Sequence, residues 1–246
     1  MTSPKSELPV DVLDYPHWRV NFRPQEYIEE TIPSLGQCIQ IIEKNKVRLR
    51  GWDYPHLSVR GSERANGKNW VASWSSFMGQ REYWRFYQST QFLHLFSVRE
   101  ATEEGWRGKL QAQTASHLTH IDTDWNKVPG FISLLNFIFC ATEIIEFAAR
   151  LCQAEVYKGE VDITIQLNRV KGFVLTTEWD RAWFEYYTAS EDSLGKTWRI
   201  DSGALIADSA QHSLNVVVWF FERFGWLNPS IEVLRKDIDD YLKGRR

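Results

Sequence analysis

PGFISLLNFIFCATEIIEFAARLC, residues 129–152, is the most apolar stretch of the chain, and its reading decides the architecture. Phe131 through Leu151 is too long for a typical strand and is dense in Leu, Ala, Glu and Arg, which favour helix. Pro129 and Gly130 supply the start. Phe131, Ile132, Leu134, Leu135, Phe137, Ile138 and Phe139 occupy almost the whole circumference of the opening turns, the pattern of a helix buried on nearly all sides. A membrane span needs about 20 predominantly apolar residues. Here Asn136, Glu143, Glu146 and Arg150 interrupt the run, at roughly 2.5–3.5 kcal/mol for a charge at bilayer centre, so the stretch reads as the central helix of a protein core.

One line on this helix is polar. Ser133, Asn136, Cys140, Glu143 and Arg150 recur at helical spacing, with Glu146 beside them. Glu146 and Arg150 stand one turn apart with the acid first, the order in which the two neutralise each other. Two readings follow: a stripe facing solvent or a covering loop, or Glu143, Glu146 and Arg150 at the floor of a ligand pocket.

Outward from the helix, 246 residues suffice for one large domain or two small ones, with a sizeable buried core. A hydrophobic share of 43% with 25% charged residues is that of a globular chain. The net charge of −3 exerts no global pull toward nucleic acid or an anionic membrane, and leaves room only for local basic patches. Cys38, Cys140 and Cys152 lie in apolar helical surroundings without paired spacing and read as buried thiols in a reducing compartment. No apolar core segment of a signal peptide precedes residue 20, so the expected location is cytoplasmic. The twelve Trp, nine Tyr and fourteen Phe often adjoin charges, as in REYWRFYQ (81–88) and DRAWFEYY (180–187), a mixture that suits recognition surfaces as well as cores.

Residues 1–20, polar and carrying Pro4, Pro9 and Pro16, read as a flexible arm. Ile28, Ile32, Leu35, Ile39 and Ile42 follow helical spacing, and Pro33 fits as the first residue of a helix that Asn45 ends. Residues 47–52 read as a strand and 62–69 as a polar loop. Strands follow at 70–75, 82–88 and 91–98, the last two joined as a hairpin, then a weak helix at 103–116. After the central helix come strands at 161–167, 172–177, 183–187 and 197–200. A helix at 209–224 has Asp208 as N-cap and Gly225 past its end, and a final amphipathic helix carries Ile231, Leu234, Ile238 and Tyr241. The fold class is therefore α+β: two long helices on antiparallel sheet, with C-terminal helices, in a single domain over 21–246. Each half, 21–128 and 129–246, runs from a long helix into several strands, an order that suggests an approximate internal duplication. In it the stripe on the central helix would answer Gln37, Gln40 and Lys44 across a shared pocket.

Three constellations carry candidate chemistry. Asp-Tyr-Pro-His occurs at 14–17 and again at 53–56, and each copy is a proline turn that presents a ring and an imidazole together. The second copy is either an internal packing corner or, with Arg50, Trp52, Asp53, Tyr54 and His56, the lining of a cleft. Alternation along 81–88 puts Tyr83, Arg85 and Tyr87 on one strand face, where exposed rings beside a cation could stack nucleobases; the plainer reading is a solvated sheet face. In HLTHIDTDW (117–125), His117, His120, Asp122 and Asp124 offer imidazole and carboxylate to Zn, Mn or Fe, or serve simply as loop and capping residues. Walker loop, G-x-G-x-x-G and nucleophile elbow are absent, and Asp162 is followed by no Glu-x-Lys of the restriction-nuclease kind. His94, between Phe92 and Phe96, reads as a buried, hydrogen-bonded side chain.

RLRGWDYPH (48–56), WRFYQSTQFLH (84–94) and TEIIEFAARL (142–151) resemble blocks of a family of uncharacterised bacterial proteins, some of which carry a Schlafen-like DNA-binding or ATPase module beside this region. The resemblance covers roughly residues 20–225. It implies a bacterial cytoplasmic protein associated with defence or regulation, and it brings no catalytic residues to carry over. The expected function is a non-enzymatic recognition or regulatory module, without cofactor or membrane partner. It would bind a partner protein, a nucleotide-like ligand or nucleic acid through Arg50, Trp52, Asp53, Tyr54, His56, Tyr83, Arg85, Tyr87 and the Glu143, Glu146, Arg150 stripe. The alternative is a metal-dependent hydrolase or nuclease using His117, His120, Asp122 and Asp124.

Overall fold

A computed structural model describes residues 11–57, 63–77, 79–103, 105–177, 183 and 185–245. After a 3-10 turn at Asp11–Asp14, the first part of the chain gives β1 (His17–Pro24), α1 (Leu35–Asn45), β2 (Glu63–Asn66), β3 (Trp70–Phe77), β4 (Gln80–Tyr87) and β5 (Phe92–Ser97). Then come α2 (Arg99–Thr102), α3 (Trp106–His117), a 3-10 turn at Trp125–Lys127, β6 (Phe131–Ser133) and α4 (Leu134–Gln153). The remainder is β7 (Glu160–Asn168), β8 (Val174–Thr176), β9 (Tyr187–Thr188), β10 (Ser193–Asp201), α5 (Ser202–Ala207), α6 (Ser209–Arg223) and α7 (Ile231–Leu242).

The architecture is α+β, as its sequence predicts. Seven antiparallel strands form one sheet in the order β10-β7-β1-β5-β4-β3-β2, and β6, β8 and β9 form a small second sheet. The central helix begins after β6, where the Ser133 hydroxyl accepts from the Asn136 amide and caps the first turn. With no Gly or Pro inside it, α4 runs to Gln153; Glu155 then adopts a left-handed conformation at φ 58° and turns the chain away. Phe137, Ile138, Ala141, Ile144, Ile145, Phe147, Ala148 and Leu151 are all buried in the main core. Fully burying one such large side chain contributes about 1.5–3 kcal/mol, so this helix is the chief organiser of the fold.

Strand alternation sorts the sheet into two faces. Trp18, Val20 and Phe22 of β1, Trp84 and Phe86 of β4, Phe92 and Phe96 of β5, and Val161, Ile163, Ile165 and Leu167 of β7 point into the helix-covered core. Trp18 meets Phe137 with ring centroids 4.8 Å apart, and Phe147 meets Phe92 at 5.1 Å. The opposite, outer face carries Arg19, Asn21 and Arg23 of β1, Tyr83, Arg85 and Tyr87 of β4, and Trp70, Ala72 and Trp74 of β3. The turn at Asp11–Asp14 packs on it, against β4 and β5, and its Val12 joins Ala72, Tyr83 and Leu95 in a small buried cluster. No described helix is long and apolar enough to cross a membrane.

Four local expectations are revised. Residues 11–20 form a turn and the first half of β1 rather than a flexible arm, because Trp18, Val20 and Phe22 alternate with Arg19, Asn21 and Arg23 in a two-residue period; residues 1–10 lie outside the described part. Residues 47–52 form no strand. Only Val47 and Tyr54 bridge, and Gly51 at φ 92° turns the chain between them. The first helix starts at Leu35, capped by Ser34, leaving Pro33 outside. Within the expected polar loop at 62–69, Glu63–Asn66 pairs with β3 as the edge strand. The two halves contribute unequally to one continuous sheet, and β1 lies between β5 and β7 as the strand that joins them.

Candidate functional site

The polar stripe of α4 meets the turn at 50–56 in a buried centre. Gly51 lets the chain fold sharply after Arg50, whose side chain enters the core and donates through Nε to Glu143 Oε1 at 3.1 Å and through Nη2 to Oε2 at 2.5 Å. The side-chain exposures of Arg50 and Glu143 are 9% and 0%. The other guanidinium N–H groups reach Asn136 Oδ1 and Cys140 Sγ, and Tyr241 of α7 donates to Glu143 Oε1 at 2.7 Å. Asn136 in turn donates to both oxygens of the buried Glu100, which also accepts from the Ser133 amide at 3.0 Å.

Electrostatics fit a closed lock. Burial opposes the Arg50 charge, but the Glu143 carboxylate outweighs it and holds the guanidinium protonated. Burial pushes the Cys140 thiol up to about 11, so it stays protonated and is a poor nucleophile. Burial, helped by Glu143, raises Tyr241, and burial raises the Glu100 carboxyl against its hydrogen-bond donors. A buried bidentate ion pair with its remaining protons and lone pairs occupied has little capacity left for a ligand.

Glu146 and Arg150 are likewise engaged. Arg150 donates to Glu146 at 2.9 Å and to the Lys46 carbonyl at 2.7 Å, while Ser209 donates to Glu146, so the pair ties α4 to the end of α1 and the start of α6. Gln37, Gln40 and Lys44 are exposed and line no pocket with the stripe. The 53–56 corner is a packing corner. Asp53 binds Lys46 at 2.7 Å and Arg48 at 2.5 Å, Tyr54 is buried, and the His56 backbone bonds to Glu82 and to the Trp84 indole. Trp52 stays half-exposed, with the guanidinium groups of Arg50 and Arg99 4.9 and 5.1 Å from its ring centroid.

Sequence reading grouped this corner with Tyr83, Arg85 and Tyr87. The structure separates them, because the corner packs on Glu82 and Trp84, on the opposite side of β4. On the outer face, register sets Trp74 beside Tyr83, Ala72 beside Arg85 and Trp70 beside Tyr87. The Arg85 guanidinium lies 4.1 Å from the Trp70 ring centroid, 5.7 Å from Tyr83 and 5.9 Å from Tyr87, and it donates to the Tyr87 hydroxyl at 3.3 Å. Arg85 Nε and the Tyr83 hydroxyl are both buried and lie next to each other, outside the geometry of a well-aligned hydrogen bond. Burial raises Tyr83 despite the neighbouring guanidinium. No described carboxylate pairs with Arg85.

The alternative metal residues are not gathered into a site. His117 ends α3, His120 and Asp122 are exposed, and Asp124 caps the turn at Trp125–Lys127 while pairing with Lys127 at 3.4 Å. Among the described residues no three His, Cys, Asp or Glu side chains stand close enough to hold a metal ion. A shallow groove of about 450 Å³ along α3 includes Asp124 but no second carboxylate.

His94 is buried and bonds Glu82 at 2.8 Å, as expected of a core histidine. Glu100, Tyr241, Trp70 and Trp74 were not identified from sequence as site members. The two Trp residues could have been found by pairing the alternation of β3 with that of β4, whereas nothing local to Glu100 or Tyr241 signals Asn136 or Glu143. No family model matches the chain, and neither does any curated protein or solved structure.

Proposed function

We propose that the protein is a recognition module that acts through the outer face of its seven-stranded sheet, around Arg85. The observation that carries this reading is the state of that arginine: it is stacked among Trp70, Tyr83 and Tyr87, has no carboxylate partner among the described residues, and stands on a sheet face that no described helix covers. Tryptophan, tyrosine and arginine are the residue types most enriched at binding hot spots, because each combines a large flat surface with a polar group at small entropic cost. Leu93 and Leu95 adjoin the cluster through β5, extending it toward Arg19 and Asn21 of β1.

The buried Arg50 centre supports the module as architecture, holding α4, α7 and the 50–56 turn in fixed relation. The test is capture of bound molecules by the purified chain, with identification by mass spectrometry. Replacing Arg85 and Tyr87 together by Ala should abolish capture while the thermal transition is retained. Undiminished capture by that variant would remove the outer face from consideration.

A further inference from the structure

We propose that the protein self-associates as a two-fold dimer through the free edge of β10. The seven-stranded sheet ends in β2 on one side and β10 on the other. β2 is only four residues long, and its exposed Glu63 and Arg64 are charges of the kind that blunts an edge against other strands. β10 runs for nine residues, each paired one to one with β7 from Ser193 opposite Asn168 to Asp201 opposite Glu160, so no bulge interrupts it and no proline breaks it. Among the described strands none pairs with its second side. Lysine guards many edges, but Lys196 lies over the rings of Trp198 at 5.5 Å and Trp219 at 6.0 Å. A long, regular, unguarded edge presents a row of backbone donors and acceptors that another strand can fill.

The residues of β10 favour a second copy of the same strand. Placed antiparallel about an axis at Thr197, its central residue, all nine positions pair: Leu194 faces the second copy's Ile200, Lys196 its Trp198, Gly195 its Arg199, Ser193 its Asp201, and Thr197 faces itself. Apolar meets apolar, cation meets ring and hydroxyl meets hydroxyl, the combinations that stabilise antiparallel sheet, and no like charges stand opposite. Gly195 has no side chain to obstruct Arg199, which is drawn toward Asp162 of its own sheet at 2.8 Å. The hydroxyls of Thr164 and Thr197 already share a hydrogen bond of 2.8 Å, so the pairing extends a row of threonines across the axis. Moving the axis two residues to Arg199 would set that cation against itself and shorten the overlap. The dimer would carry one sheet through both copies. Three strands, β7, β1 and β5, separate the edge from β4 and its Arg85, so self-association is independent of capture by the outer face.

The experiment is sedimentation velocity of the full chain over about 1–100 μM, where a dimer should accumulate with concentration. Thr197 is exposed, so Thr197→Lys leaves the core untouched while setting two ammonium groups opposite each other on the axis; it should weaken the dimer about tenfold or more. Thr197→Cys reads the register. Opposed Cα atoms in antiparallel sheet stand about 4.5–5.5 Å apart, within the span of a disulfide, so this variant should form a covalent dimer on oxidation. The native Cys38, Cys140 and Cys152 are buried and do not compete. Ser193→Cys should give no such product, because the two copies of that position would lie about 26 Å apart at about 3.3 Å per residue. If Thr197→Lys fails to fold, the two cysteine variants decide alone. A monomer at every concentration, a dimer unchanged by Thr197→Lys in folded protein, or cross-linking as ready through Ser193→Cys as through Thr197→Cys overturns the proposal.

Discussion

Arg50 and Arg85 lie against tryptophan rings at similar distances, 4.9 Å from Trp52 and 4.1 Å from Trp70, yet their surroundings differ in what opposes the charge. Arg50 donates to both oxygens of Glu143 and to Asn136 and Cys140, while Tyr241 donates to Glu143. Arg85 meets rings and a hydroxyl, and no described carboxylate. The first arrangement is complete without a ligand. The second meets its charge with rings and hydroxyls alone, and that missing counter-charge is what the proposed recognition role rests on. Proximity of arginine to aromatic rings therefore does not separate a structural site from a recognition site; the presence or absence of the counter-charge does.

Three measurements bear on that contrast. The largest effect is expected from Glu143→Ala, which strands a buried guanidinium and should cost about 3–5 kcal/mol in denaturant unfolding. Replacing both partners, Arg50→Met with Glu143→Leu, should recover most of it, since a buried pair exchanged for apolar groups of similar size is often neutral. Tolerance of the single change would end the description of Arg50 as locked. Next, Arg85→Ala should lower stability by only about 0.5–1 kcal/mol, the worth of a partly exposed cation–ring contact. A loss comparable to that of Glu143→Ala would make both arginines structural.

The smallest effect concerns Glu100. Burial raises its carboxyl above the ordinary 4.5, so in the window above that value the folded chain keeps a proton that the unfolded chain has released. Stability contributed by this group therefore falls as pH rises through the window. Glu100→Gln removes that dependence, and its melting temperature should gain on the wild type from pH 4.5 toward neutrality. Parallel curves for the two proteins would show that Glu100 is ionised in the folded state.

The elements whose signal is local were legible in the sequence. The burial of Phe137 through Leu151, the 82–98 hairpin, Asp208 as the cap of α6 and the polar stripe on α4 all follow from period, capping chemistry and turn length. Arg50 and Glu143 were each singled out, but nothing in either neighbourhood states that residues 93 positions apart share two hydrogen bonds. Residues 47–52 carry strand-like composition, yet Asp53 draws Lys46 and Arg48 together and Gly51 reverses the path, so tertiary ion pairing overrides propensity there. The corner and the Tyr83 face were joined in reading and are separate in space, because two segments that flank one strand can lie on either side of it.

The position of β1 also sets an order of events during synthesis. One of its edges pairs with β5, which is complete by residue 97, but the other waits for β7, which begins at Glu160. Until then the nascent chain carries an open strand edge beside the apolar row of Trp18, Val20 and Phe22, the kind of edge that recruits other strands. Sheet closure is thus a late, long-range step that couples the beginning of the chain to its second half, and a fragment ending before β7 would keep that edge open to aggregation.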